Sequence, residues 1–389
     1  MLKLRILILL ILGCFGVYGQ SDADRNYHDS LTLSGQVSMW SLYSNSSSYP
    51  VWVGGRYQPQ LNYELGNSKG NKFDTEISLN VNGLAGFKPF TSNMTDGDIK
   101  LYRSWIRFSG DQYEVRLGLQ KINFGSASLL RPLMWFDKID PLDPLQITDG
   151  VWGLLGRYYF LNNLNIWAWT LYGNKQPSIW EAVESNVNIP EFGGRVQFPL
   201  KKGEIAISYH HRTADSRHLA KLYKEEAYNH ARIPEDRFGI DGRWDVVVGI
   251  WFEASTTRKQ EYLESLTYMN LLNVGTDYTF GIGNGLKTTL EHLIMTRNER
   301  LFDDQYAFNY TALSFSYNIG LTNDISAIIY YDWTSHDIYN FINWNKQINK
   351  FNFYLIAFYN PHENFIPIAS DSFNMMGGRG LQFMVVYNY

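Results

Sequence analysis

Gly380-Leu381-Gln382-Phe383-Met384-Val385-Val386-Tyr387-Asn388-Tyr389 closes the sequence. In an extended chain Leu381, Phe383, Val385, Tyr387 and Tyr389 share one face, and Gln382, Met384, Val386 and Asn388 share the other. Side chains alternate with period two in a strand, so this is a strand with one apolar face. It ends on an aromatic ring with no polar tail after it. Alone it fits a strand of a soluble sheet as well as a strand facing lipid. The rest of the chain decides between them.

The same alternation recurs upstream. Leu31, Leu33, Gly35, Val37 and Met39 oppose Thr32, Ser34, Gln36 and Ser38. Val53, Gly55, Tyr57, Pro59, Leu61 and Tyr63 oppose Arg56, Gln58, Gln60, Asn62 and Glu64. Phe73, Thr75, Ile77, Leu79 and Val81 oppose Asp74, Glu76, Ser78, Asn80 and Asn82. Soluble strands average about five or six residues, whereas a tilted strand needs about 9–11 to cross a bilayer. Further strands fall near 99–109, 112–123, 150–160, 163–173, 191–199, 203–213, 235–244, 246–257, 267–281, 286–297, 306–319, 324–334, 337–344, 349–359 and 379–389. With the first three they make 18, and 16 is the next count. Every second connection is short and several carry Gly, Asn or Asp, as hairpin turns require. The others are long: 44–50, 85–98, 124–149, 174–190, 214–234, 258–266, 298–305 and 360–378, with 335–336 the exception. A sheet in lipid must close on itself to leave no edge. These observations predict an all-β fold, a transmembrane antiparallel up-and-down β-barrel of about 18 strands. Residue 380–389 is then its closing strand, paired with 31–43.

Composition agrees. Aromatic residues make up 16% of the chain and charged residues only 19%, while mean hydropathy is −0.27. Rings for interfacial girdles, an apolar lipid face and a polar lumen give that balance. No stretch after residue 20 approaches the run of about 18 apolar residues that marks a spanning helix. Residues 1–19 read as a secretory signal peptide: Lys3 and Arg5, an apolar run Ile6–Leu12, and Val17-Tyr18-Gly19 before Gln20. Lipidation at Cys14 fits poorly, because the residues before it do not match a lipobox. Cys14 is the only cysteine, so the exported chain would hold no disulfide. Removing the two basic residues lowers the formal charge from −4 to −6, which argues against nucleic acid as a partner. Residues 20–389 would form one barrel domain.

If the apolar faces meet lipid, the opposite faces line the lumen. There the strands carry Arg103, Arg107, Arg116, Arg157, Arg195, Arg212, Arg237 and Arg243 against Glu114, Glu191, Glu204 and Asp241. Later strands lean acidic, with Glu253, Asp277, Glu291 and Asp332 against Lys287. Such a wall can guide anions, or its charges can simply pair across strands. Loop 124–149, with Leu129, Leu130, Leu133, Met134, Trp135 and Phe136, is too apolar for a free surface loop. Folded inward, it would set Asp137, Asp140, Asp143 and Asp149 near the arginines, stiffened by Pro141 and Pro144. The expected constriction is therefore Arg103, Arg107, Arg116, Arg157 and Arg195 opposite Asp137, Asp140 and Asp143.

Val115-Arg116-Leu117-Gly118-Leu119-Gln120-Lys121-Ile122-Asn123-Phe124-Gly125 resembles a recurring strand of porins of the phosphate-selective and alginate-export kinds, where such a strand leads into the constriction loop. The Tyr-Gly-Gln at residues 18–20 resembles exported proteins of the Bacteroidetes. The resemblance implies a porin of the bacterial outer membrane, passing small hydrophilic solutes, anions among them, and inserted by the barrel-assembly machinery. The lysine clusters that phosphate selectivity would need are missing from the inferred lumen face. A homotrimer is compatible with the sequence, which marks no interface. The alternatives are a non-conducting barrel serving assembly or secretion, and a membrane-embedded hydrolase.

Other chemistry finds little support. His210 and His211 adjoin on a strand and point to opposite sides. No His-Glu-x-x-His or Cys/His spacing is present, so no metal and no cofactor is expected. Ser335-His336-Asp337 has the right residue types for a hydrolase, but sequence neighbours do not make a triad. Trp40–Tyr43, Trp167–Trp169 and Tyr330–Trp333 read as girdle aromatics, with Trp40 and Trp167 the two on the inner face.

Overall fold

The computed structural model describes residues 30–66, 70–88, 92–224, 228–301, 303, 306–362 and 375–389. The predicted signal peptide, 1–19, lies outside them. Each alternating segment forms a strand: β1 Ser30–Ser44, β2 Val51–Gly66, β3 Lys72–Lys88, β4 Ser92–Ser109, β5 Tyr113–Gln120, β6 Val151–Tyr159, β7 Asn165–Leu171, β8 Glu184–Ser185, β9 Glu191–Leu200, β10 Gly203–Asp215, β11 Ile233–Asp245, β12 Gly249–Lys259, β13 Tyr268–Phe280, β14 Leu286–Asn298, β15 Tyr306–Asn318, β16 Asn323–Asp332, β17 Asp337–Ile348, β18 Phe351–Tyr359 and β19 Arg379–Asn388. Each pairs antiparallel with its neighbour, and β7 pairs with β9. β8 is a two-residue patch on the end of β10. β19 pairs with both β18 and β1, from Gln36↔Asn388 to Ser44↔Gly380, which closes an 18-stranded barrel.

Alternation decides what faces where. Leu31, Leu33, Met39, Ile77, Leu117, Ile207, Phe238, Val274, Ile342, Leu381 and Phe383 stand exposed on the outside. Their strand neighbours turn inward, among them Ser38, Gln58, Arg103, Glu253 and Glu291, all buried. Among the described residues no helix is long and apolar enough to cross a membrane. The one α-helix among them, Arg217–Tyr223, sits between β10 and β11.

Two expectations about connections are corrected. Segment 85–98 is not a long loop. β3 runs to Lys88 and β4 starts at Ser92, paired from Lys72↔Ser109 to Lys88↔Ser92 with one shift at Ser78/Leu79. β17 reaches Ile348 rather than stopping at 344, so the turn to β18 is Asn349-Lys350, with Asn349 at φ +52°.

The interior is divided by depth. Toward the long-loop end, Leu42, Trp52, Met269, Leu271, Met295, Tyr310, Tyr330, Tyr339 and Phe358 form one apolar cluster with Leu129, Leu130 and Met134 of the inward loop and Trp180 of the next. Toward the short-turn end the inward residues are polar, including Gln58, Asp74, Arg107, Arg157, Asp324, Asn343 and Asn345.

Candidate pore constriction

The constriction starts at two glycines. Gly118 on β5 has φ +123°, and a Cβ there would overlap the Ser104 carbonyl. Gly125 has φ +103°, and a Cβ there would overlap the Glu253 carboxylate. Only glycine tolerates both the dihedral and the approach. Between them the chain leaves the wall and crosses the barrel. Ile122 and Phe124 pack with Trp135, Phe136, Leu155, Trp169 and Leu171.

Two carboxylates on the far wall hold the loop. Glu253 on β12 accepts hydrogen bonds from the Ala127 backbone at 2.6 Å and the Leu133 backbone at 3.2 Å. Glu291 on β14 accepts from the backbones of Ser128 (2.7 Å), Leu129 (3.1 Å) and Leu130 (2.6 Å), from Ser128 Oγ (3.1 Å) and from Asn273 Nδ2 (3.3 Å). Three consecutive N–H groups turned on one carboxylate form an anion nest. Trp135 Nε1 donates to Ser255 Oγ at 3.1 Å. The next loop locks on top: Trp180 Nε1 donates to the Arg131 carbonyl at 2.8 Å and Ser178 Oγ to that of Met134 at 3.2 Å. Inward position and acidity of Glu253 and Glu291 were legible in the sequence. Their role as anchors was not, because their partners are backbone groups more than a hundred residues away.

The arginines mostly have partners. Arg107 binds Asp74 through two hydrogen bonds of 2.8 and 2.6 Å. Arg116 and Arg157 both face Glu114, at 2.9 and 3.7 Å, and Arg157 stacks 3.9 Å above the Trp167 ring. Arg195 is buried against Asp241 at 2.9 Å, beneath the loop and away from open lumen. Arg212 and Arg237 share Glu181 and Glu235, and Arg243 pairs with Asp277. Arg103 is the exception among the eight. It donates to the Tyr102 and Thr148 carbonyls and to Thr148 Oγ1 at 2.6 Å, and no carboxylate lies within ion-pair distance among the described residues.

The loop carboxylates divide likewise. Asp137 is buried, accepting from Asn123 Nδ2 at 2.7 Å with Arg131 at 3.8 Å. Burial raises its pKa above the ordinary carboxylate value against the opposing pull of Arg131, and burial lowers that of nearby Lys121. Asp140 caps the Leu142 backbone at 2.9 Å. Asp143 caps Leu145 at 3.0 Å and also acts across the lumen on Arg56 of β2. Arg56 and Lys121, which the sequence reading passed over, form no ion pair among the described residues. The predicted residues are therefore dispersed. Arg103 feels Glu76, Asp149 and Asp137 at a distance, Arg56 faces Asp143, and Arg107, Arg116 and Arg157 form a paired group nearer the short turns. Trp40 and Trp167 both face inward, as expected. His210 points inward onto Glu191 at 3.1 Å and His211 outward onto Asp236 at 2.8 Å.

No protein-family model and no curated protein sequence matches the chain. The fold does match solved structures. The anion-selective porin from Comamonas acidovorans aligns over 93% of this chain and 100% of its own, with TM-score 0.51 and 12% identity. An engineered variant of Rh. blastica porin aligns over 92% and 100%, with TM-score 0.47 and 10% identity. At these identities the likeness is one of fold: this chain has the fold of bacterial porins.

Proposed function

We propose that the chain is a porin-like channel of the bacterial outer membrane through which small hydrophilic solutes diffuse passively. One observation carries this reading: loop 121–150, with Lys121 at its start, lies inside the barrel, fixed to the opposite wall by Glu253 and Glu291, and faces a polar wall with the cations Arg56 and Arg103. A loop held inside a barrel narrows a passage without blocking its whole section. Fold similarity to an anion-selective porin supports the same reading. The three cations without carboxylate partners favour anions, while Asp143 and Asp149 on the loop temper that preference. Outer-membrane lipid is then the barrel's surroundings, the barrel-assembly machinery inserts it, and a homotrimer is its expected assembly. No enzymatic step belongs to this reading.

A second reading is a non-conducting barrel. The apolar cluster of Leu42, Trp52, Tyr310, Tyr330 and Phe358 with Leu129, Leu130 and Met134 favours it, because it fills much of the long-loop half. Planar-bilayer recording of the purified protein separates the two. The channel reading expects discrete conductance steps, larger after deletion of 126–147. Silence from both proteins would sink it.

A further inference from the structure

Arg212 on β10 is buried, and all five of its N–H groups are engaged. Nε and Nη2 donate to Glu235 of β11 at 2.6 and 3.1 Å. Nη1 donates to Glu181 at 3.0 Å and to Ser185 Oγ at 2.9 Å, and Nη2 also to the Val183 carbonyl at 3.0 Å. One guanidinium thus fixes three residues of loop 174–190. Glu181 also pairs with Arg237 at 2.5 Å and accepts from the Ser178 backbone at 2.8 Å, while its own N–H donates to the Ser178 carbonyl at 3.1 Å. Turn 178–181 is therefore closed from both ends, with Trp180 inside it. Two bonds to the constriction loop leave from this turn, Trp180 Nε1 to the Arg131 carbonyl and Ser178 Oγ to the Met134 carbonyl.

We propose that Arg212 and Glu181 are positioning residues for the constriction: through turn 178–181 they hold segment 131–136 in place and so set the width of the passage. This rests on the channel reading and deepens it by naming what fixes the narrowest part. Parity makes Arg212 a lumen cation, yet every donor it has is taken by protein acceptors, so none is left for a passing solute. The two tethers of the loop are complementary. Glu253 and Glu291 hold residues 127–130 and 133 by their backbone N–H groups. The clasp holds residues 131 and 134 by their carbonyls. Lysine cannot stand in for Arg212, because three N–H groups on one nitrogen cannot span Glu235, Glu181 and Val183 together. Arg237 and Lys259 still neutralise Glu235 in that variant. Arg212→Lys therefore keeps the charge and loses the geometry.

The test is hydrogen exchange read by mass spectrometry on the full folded chain in detergent. It compares the parent with Arg212→Lys, with Glu181→Gln, and with Trp180→Phe combined with Ser178→Ala. In segment 131–136 the Met134 N–H donates to the Arg131 carbonyl and the Trp135 N–H to that of Leu133. Exchange there should be roughly tenfold faster in all three variants, with peptides of β12 and β14 unchanged. Adding Arg212→Lys to the Trp180→Phe, Ser178→Ala chain should bring no further increase, because the link it acts through is already gone. Folding is checked by heat-dependent gel mobility. If Arg212→Lys does not fold, Glu181→Gln and the Trp180→Phe, Ser178→Ala chain decide. Unchanged exchange in folded variants, an increase spread evenly over the strands, or full additivity would overturn the proposal. Exchange needs no conduction, so its failure and the failure of the channel reading are separate results. In planar bilayers the loosened variants should show more open-channel current noise than the parent, and parent-like noise would remove the two residues from control of the passage.

Discussion

A glycine's backbone angle and a glutamate's carboxylate together fix where the loop enters the barrel. Gly125 holds φ +103° with its Cα against Glu253. An alanine there meets two costs, a dihedral that L residues avoid and a methyl that must displace a buried carboxylate from the Ala127 and Leu133 N–H groups. Gly125→Ala should therefore destabilise the barrel by about 2–4 kcal/mol, read as a lower urea midpoint in detergent. Gly173 separates the two costs: it has φ +78° and open space, so Gly173→Ala should cost about 1 kcal/mol. Gly281, with open space and no positive φ, should tolerate alanine within about 0.5 kcal/mol. Equal effects at Gly125 and Gly173 would remove the Glu253 contact from the explanation. At this scale the sequence told direction but not partner. Parity put eight arginines inside, yet Asp74 and the loop residue Glu181, which complete their pairs, come from other strands and loops. Asp140 and Asp143 read as charges aimed at arginines. Both also cap backbone N–H groups of their own turns, as aspartates beside prolines tend to.

A strand stays legible where lipid enforces its alternation, and fades where lipid ends. All eighteen barrel strands were readable because each must show an apolar face across the bilayer. The upper parts of β3 and β4 were not. Gly83, Gly86, Asn93, Asp96, Gly97 and Asp98 look like loop residues, but β3 there pairs with both β2 and β4, while β4 before Ser104 pairs with β3 alone. The closing strand shows a finer constraint. The Tyr389 backbone exchanges hydrogen bonds with Gly35 at 3.1 and 3.3 Å, and its ring crosses Gly35 to bring its hydroxyl 3.2 Å from that of Tyr57. A Cβ on Gly35 would lie 2.7 Å from the Tyr389 hydroxyl and would also overlap the Gln58 carbonyl. Gly35→Val should thus weaken the β1–β19 seam and lower the folded fraction recovered from urea into detergent. Gly55 sits on the same outer face, and its nearest neighbour would be the Ser38 carbonyl at 3.4 Å. Gly55→Val should refold like the parent, since valine suits a strand. Similar loss in both variants would trace the effect to glycine replacement in general, not to the seam.

Across the whole molecule, charge pairing decides which arginines a passing ion can feel. A charge neutralised by a close partner contributes little field beyond a few ångströms, whereas an unpartnered one acts over about a Debye length. Arg195 lies against Asp241 beneath the loop and should be silent to permeating ions. Its removal would instead strand a buried carboxylate at a cost of about 3–5 kcal/mol. Arg103 has only neutral hydrogen-bond partners, and Glu76 and Asp149 remain nearby once it is gone. One charge about 8 Å from an ion in water is worth about 0.5 kcal/mol, a factor of about two in relative permeability. Arg103→Ala should therefore shift the zero-current potential in a KCl gradient toward cations by that factor, and adding Arg56→Ala should roughly double the shift in energy. The shift should shrink at high salt. Arg107→Ala gives a sharper discrimination, because it releases the charge of Asp74 from a bidentate pair. Its shift toward cations belongs to the short-turn side of the lumen, so it should appear even with loop 126–147 deleted. The Arg103 guanidinium is held by Thr148 at the end of the loop. An Arg103→Ala channel with unaltered selectivity would take this residue out of the ion path and leave Arg56 and Lys121 as the cations that set the preference.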